Sequence, residues 1–348
     1  MKETKDCIGT GHQDPNDTNS RAIGDVIAMQ MASITYCSLD GAGSVKDTLN
    51  QYLPDWDLVW EPKQAIQGDW AFIAYNGVQY VIAIRGSILN FSWGAFDNWF
   101  KQDFNLFEQV DWTYTFDTSN NPKISKGSYE ALQNLMQLVD KNGDTMLSYL
   151  QKNAFPQQKW IAITGHSLGA NSATIVGPWL QYELLKGGYT MPTIFSVLTF
   201  AAPCSWNKGF AEQFDANLTH TWRYYNVIDV VPYSATNIIG VGNLFPSPAP
   251  DAHNITVTYD GITVSLAAAC TTIQGAVDVS EALHKSWYTP VNQNRGSVAL
   301  NIAKEIYAVS STDPLEAWFE QVAQQHAHNH YLSWLGSGAL SCVKPKKH

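Results

Sequence analysis

One stretch of the chain has residue types and spacing suited to nucleophilic chemistry. The pentapeptide Gly165-His166-Ser167-Leu168-Gly169 stands between a short apolar, branched run, KWIAIT (159–164), and a stretch of helical spacing that stops at Gly187-Gly188. A strand turning sharply into a helix holds the corner residue in strained dihedrals, so only small residues fit two before and two after it. Gly165 and Gly169 meet that demand. Ser167 would then present its hydroxyl at the top of a sheet, and the N–H of Leu168, at the helix start, would face any developing oxyanion. A serine hydroxyl is too weakly acidic to attack a carbonyl unaided, so a histidine base steadied by a carboxylate must accompany it.

The order nucleophile, acid, base makes that requirement searchable. After Ser167 come Asp215, Asp229, Asp251, Asp260, Asp278 and Asp313, and only Asp229 directly follows a strong strand pattern, THTWRYYNVIDVVP. His253 and His284 lie in a region of different texture and His348 ends the chain, which leaves the tract QQHAHNHYLSWLG with His326, His328 and His330. Spacing does not choose among these three. A histidine tract can also be a metal site, with His326 and His330 on one helical face, but no HExxH and no carboxylate at ligand spacing supports that reading. No metal and no cofactor is expected.

These residues need a scaffold, and the surrounding pattern supplies one. Residues 22–36 have helical apolar spacing. WAFIAYNGVQYVIAIRG reads as a hairpin around Asn76-Gly77, its second run ending at Arg85-Gly86-Ser87. SYEALQNLMQLVDKNGDTMLSYLQKN is helical apart from a turn at DKNGDT, and TIFSVLTFAAP and THTWRYYNVIDVVP are further strands. Strand, helix and strand in this order argue for a mostly parallel sheet with right-handed crossovers, hence an α/β fold whose site lies at the carboxyl ends of its strands. One domain over 1–348 is expected, with a polar N-terminal arm at 1–21. The interval 234–309 reads as an insertion, with a proline-rich loop and a hairpin around Asp260-Gly261.

Composition narrows the function classes. Of 348 residues 45% are hydrophobic and 15% charged, ample for a large core. A formal charge of -10, with no Lys/Arg cluster interleaved with aromatics, argues against a nucleic-acid partner. No apolar run is long enough to span a membrane and the first residues show no export signal, so the chain reads as soluble, and secretion after loss of a signal stays open. Five cysteines at 7, 37, 204, 270 and 342 include no CxxC, and the odd number leaves at least one thiol unpaired within the chain.

Taken together the motifs resemble the class 3 lipases, the fungal-type triacylglycerol lipase group of the α/β-hydrolase superfamily. YVIAIRGS is similar to that family's strand ending in an Arg-Gly-Ser/Thr turn, KGSYEALQNLMQLV to its helix before the elbow, and ITGHSLGA to its nucleophile motif. TFAAPCSWNKGFAEQF and RYYNVIDVVP resemble two further segments in family order. The resemblance implies Ser167 as nucleophile, Asp229 as orienting acid, and an oxyanion hole formed by Ser87 and Leu168. For the base, members resembling QHxxxxYL favour His326 and those with HxxY favour His328; His326 is the choice here, with His328 and His330 as alternatives. Ala202 stands where many members have Gly, and the usual Arg after Pro203 is missing, departures expected to alter packing more than chemistry. The long interval between Asp229 and His326 contains the insertion, expected to form a cap or rim over an acyl pocket.

The aromatic-rich segment ILNFSWGAFDNWFKQDFNLF occupies the place of that family's lid, assigned here to 88–107; an amphipathic helix packed on the core is the competing reading. The expected activity is a serine carboxylesterase or lipase acting on fatty acyl esters, acylglycerols or phospholipids, at a lipid–water interface. An acyltransferase would use the same residues. A lipid- or protein-binding module that kept the fold is the alternative of a different class.

Overall fold

The N-terminal helix of the computed structural model, α1 (Asp25–Ile34), continues as a 3-10 turn, Thr35–Ser38, and is followed by α2 (Val45–Tyr52). Described are residues 23–87, 91–98, 106–292 and 296–344, so the expected arm at 1–21 lies outside them. The edge strand β1 (Asp57–Trp60) pairs antiparallel with β2 (Ala71–Tyr75), which pairs antiparallel with β3 (Gln79–Ile84). The Asn76-Gly77 turn forms as expected, with Gly77 at φ +91° and the Asn76 carboxamide oxygen accepting from the N–H groups of Val78 and Gln79.

Next along the chain are α3 (Trp93–Asn98), a small ladder of β4 (Gln109–Asp111) with β5 (Lys123–Ser125), α4 (Lys126–Gln137) and α5 (Met146–Asn153). The DKNGDT segment breaks the helical run between α4 and α5, with the Asp140 carboxylate accepting from the N–H groups of Asn142 and Asp144. The elbow strand β6 (Trp160–His166), helix α6 (Leu168–Lys186), β7 (Phe195–Phe200), α7 (Lys208–Asn217) and β8 (His220–Asn226) then complete the alternation read from the sequence. The main sheet has the order β1-β2-β3-β6-β7-β8 and continues to a seventh strand, with β3 through β8 parallel.

That seventh strand comes from inside the interval 234–309. It contains α8 (Ile238–Val241), the hairpin β9 (Thr256–Tyr259) and β10 (Ile262–Ser265), the long helix α9 (Leu266–His284), and β11 (Ser297–Leu300), which pairs parallel with β8. The hairpin turns at Asp260-Gly261, both at positive φ, the pattern of the predicted tight turn. Helices α10 (Pro314–His326) and α11 (His328–Trp334) are the last helices among the described residues. This mixed α/β architecture, a mostly parallel sheet flanked by helices, is the α/β-hydrolase fold.

Both faces of the sheet are buried, so its central strands are continuously apolar rather than alternating. In β3, Tyr80, Ile82 and Ile84 face one core with α4 to α6, while Val81 and Ala83 face the other with α1 and α11. Cys37, in the 3-10 turn, is disulfide-bonded to Cys342 across 305 residues of sequence, and Cys204 and Cys270 are buried free thiols. Closing so long a loop removes much of the unfolded chain's freedom. Cys342→Ser is expected to lower the unfolding free energy by about 2–5 kcal/mol. A thermal melt of this variant that matched the parent protein would show the cross-link to be dispensable.

Candidate active site

The corner between β6 and α6 adopts the geometry its glycines imply. Ser167 has φ 60° and ψ -131°, an unfavourable conformation for a residue with a side chain, and its N–H donates to the Phe200 carbonyl of β7. The turn is packed backbone against backbone. A Cβ at Gly165 would lie 2.2 Å from the Gly169 carbonyl oxygen, and one at Gly169 would lie 2.2 Å from that of Ile84 and 2.8 Å from the Gly86 nitrogen. Gly169→Ala is therefore expected to destabilise the fold by about 3 kcal/mol, because the obstructing atoms belong to strand backbone and cannot swing aside. A denaturation midpoint equal to wild type would contradict this packing.

The β3 turn reaches the same place. Arg85 donates to Ser38 Oγ at 2.6 Å and to the Gly68 carbonyl at 2.7 Å, and its guanidinium lies over the Trp70 ring. This fixes the backbone that leads through Gly86 to Ser87. Ser87 is exposed and lines, together with Leu168, a cavity of about 210 Å³ whose other walls include Asn171, Ser172 and Asp69. Burial raises the Asp69 carboxyl to about 6, against a hydrogen bond from Asn134 and the charge of Arg85. Beneath the cavity Ser128 of α4, Asn171 of α6 and Ser205 form a buried hydrogen-bonded cluster, which ties the helix before the elbow to the segment after β7.

On the other side lie Asp229 and His326. Strand β8 ends at Asn226, and the chain turns so that the Asp229 N–H donates to the Asn226 carbonyl. The fully buried Asp229 carboxylate accepts from three groups: His326 Nδ1 at 2.7 Å and the Tyr331 hydroxyl at 2.9 Å on Oδ2, and the Val231 N–H at 3.0 Å on Oδ1. Asn226 also donates to the carbonyl and the side-chain oxygen of Gln325, gripping the residue before His326. His326 Nε2 and Ser167 Oγ are both buried and have no hydrogen-bond partner among the described residues. The His166 ring, adjacent in sequence to Ser167, has its centroid 4.7 Å from that of His326.

The three histidines of the C-terminal tract go to different places. His326 ends α10, and Ala327, extended at ψ 128°, breaks the helix before α11 begins at His328. His326 and His330 therefore do not share one helical face, contrary to the metal reading. His328 Nδ1 is 3.2 Å from Ser33 Oγ, and His330 stacks on Tyr307 with ring centroids 4.0 Å apart. Only His326 meets Asp229. Burial holds the His166 imidazole well below its ordinary value and His328 at about 4, the neighbouring histidines adding to both shifts.

Residues 81–238 match the family model described as lipase (class 3). Over that segment the chain is similar to the class 3 lipases. The match spans most of β3, Ser87, the elbow and Asp229, and it stops short of His326. Among solved structures the lipase-family fold recurs in M37 lipase, 22% identical over 91% of this chain and 95% of that one, with a TM-score of 0.66. A lipase from Rhizopus microsporus var. chinensis is 18% identical over 60% and 67% of the two chains, TM-score 0.45, and the Rhizomucor miehei lipase in its propeptide complex 18% over 61% and 62%, TM-score 0.43. No curated protein sequence matches the chain. Family and fold together support lipase-type ester hydrolysis. Among the described residues, no helix is long and apolar enough to cross a membrane.

Sequence reasoning missed the second grip on Asp229. Tyr331 stood in the motif used to choose His326, yet nothing in its spacing signals that its hydroxyl reaches a carboxylate 102 residues earlier. Phe91 was also missed: its ring meets that of His326 edge-on at 5.8 Å. Of the aromatics in the segment expected to form the lid, Trp93 lies in α3 and its indole donates to the Thr258 carbonyl of β9. Trp99, Phe100 and Phe104 lie outside the described residues, as does the side chain of Phe96.

Proposed function

We propose that this protein is a metal-independent serine ester hydrolase that cleaves fatty acyl esters, acylglycerols or phospholipids, through an acyl-serine intermediate. One observation carries the reading: a buried His326–Asp229 pair leaves His326 Nε2 unpartnered, close to a strained elbow whose Ser167 hydroxyl is likewise unpartnered. In this reading Ser167 Oγ attacks the ester carbonyl as His326 Nε2 takes its proton. The N–H groups of Leu168 and Ser87 hold the oxyanion that forms, and the Asp229 carboxylate steadies the imidazolium. The imidazolium then protonates the departing alcohol as the carbon–oxygen bond breaks. Water, deprotonated by His326, attacks the acyl-serine and releases the fatty acid with Ser167 restored. Every proton acceptor and oxyanion donor needed is a side chain or backbone N–H, so the scheme calls for no metal or cofactor.

Ser167 is 1% exposed and His326 3%, so the scheme requires a cover that moves before an ester can enter. Phe91 on His326, and Trp93 hydrogen-bonded to β9, support reading 91–98 as part of that cover and 234–309 as a rim; the rest of the expected lid, 88–90 and 99–105, lies outside the described residues. Opening at a lipid surface would turn apolar side chains toward the acyl phase. A fluorophosphonate probe tests the core of the proposal. Wild type is expected to be labelled and Ser167→Ala not; a wild-type chain that took no label would leave the non-catalytic binding module as the better reading. Labelling together with acyl transfer to an added alcohol, and no release of free acid, would favour the acyltransferase.

A further inference from the structure

Beside the proposed catalytic residues, a single phenolic oxygen touches both turns of the site. The Tyr36 hydroxyl is hydrogen-bonded to His166 Nδ1 at 2.9 Å, one residue before Ser167. It also lies against the Gly86 backbone, since a Cβ built there would sit 2.4 Å from the Tyr36 oxygen and 3.2 Å from the Ser167 Cβ. Gly86 directly precedes Ser87. The elbow and the Ser87 turn thus meet at this oxygen.

The Tyr36 ring is itself held from several sides. It stacks on His328, centroids 5.2 Å apart at 19°, and His328 is in turn bonded to Ser33 of α1. The residue after Tyr36 is Cys37, cross-linked to Cys342, and the next is Ser38, which accepts from Arg85 just before Gly86. Three consecutive residues of one 3-10 turn therefore engage the elbow, the C-terminal segment and the Arg85 turn. So many contacts on so short a segment exceed what filling space requires.

We propose that Tyr36 is a positioning residue for ester hydrolysis, its hydroxyl setting the His166 ring beside His326 and the spacing between Ser87 and Ser167; this rests on the proposed Ser167 mechanism. The chemistry asks for such a device. His326 must become an imidazolium during the reaction, and a charged or misplaced ring 4.7 Å away would oppose it. Burial keeps His166 neutral, and the hydrogen bond to Tyr36 fixes its ring plane. Oxyanion donors must likewise sit within a few tenths of an ångström of the developing charge, so a loosened Gly86 turn lowers the rate and leaves substrate binding alone.

Tyr36→Phe keeps the ring stacked on His328 and removes only the hydroxyl, which makes it the test. With p-nitrophenyl butyrate as substrate, kcat is expected to fall about tenfold with KM unchanged and the melting temperature lowered by only a few degrees, and fluorophosphonate labelling is expected to slow by the same factor. A variant whose kcat and labelling rate equal wild type overturns the proposal, as does one whose losses are confined to melting temperature or KM. A wild-type chain that takes no label overturns the Ser167 reading and this one with it, whereas a labelled wild type with undiminished Tyr36→Phe overturns this one alone.

Discussion

Ser167→Ala is expected to lower kcat for p-nitrophenyl ester hydrolysis by about 10⁶-fold, since without Oγ no acyl-serine can form and only binding and oxyanion stabilisation remain. Residues acting as one unit lose their effect together. His326→Ala should therefore cost nearly as much alone, and Ser167→Ala/His326→Ala little more than either single change. The fold should tolerate Ala at 167, because Oγ makes no hydrogen bond among the described residues and its loss leaves no partner stranded. Steady-state kinetics on well-folded variants decide the matter. If Ser167→Ala retained a tenth of wild-type kcat, another nucleophile would have to be sought.

Asp229→Asn comes second in expected effect, at about 10⁴-fold in kcat. In wild type the carboxylate forces His326 to donate from Nδ1, which leaves the Nε2 lone pair free to take a proton. In the substituted side chain the carbonyl oxygen would stay with the Val231 N–H and the amide nitrogen would face His326 and Tyr331. A donor in that place turns the imidazole to its other tautomer, with Nδ1 accepting and Nε2 protonated. His326 could then no longer act as a base, although the ring stays in position. The expected signature is a large loss of kcat with a nearly unchanged KM and a soluble, folded protein; a loss under tenfold would mean that Asp229 only buttresses the turn.

Local signals in the chain carry a large share of this arrangement. The Asn76-Gly77 hairpin, the β6-elbow-α6 unit and the Asp260-Gly261 turn each depend on residues within a few positions of one another, where periodicity and turn chemistry act directly. Strand β11 is different: four residues, SVAL, half-buried and without alternation, become a strand only because β8 offers its open edge. Helix α9, rich in small apolar residues, shows the same dependence, its buried face defined by the cores it packs on. The Cys37–Cys342 bond spans nearly the whole chain, and five scattered cysteines hold no trace of that pairing.

The sequence by itself determined that Ser167 stands at a tight strand-to-helix corner, because two glycines and two flanking periodicities demand it, and that Asp229 follows closely on a strand. Only the tertiary structure decided which histidine meets Asp229. The break at Ala327 separates His326 from its neighbours, and the hydrogen bonds from Asn226 and Tyr331 bring α10 and α11 against the end of β8. Those contacts join segments about a hundred residues apart. Short-range pattern cannot encode them, since they form only when both faces of the sheet are covered and the buried polar groups must find partners.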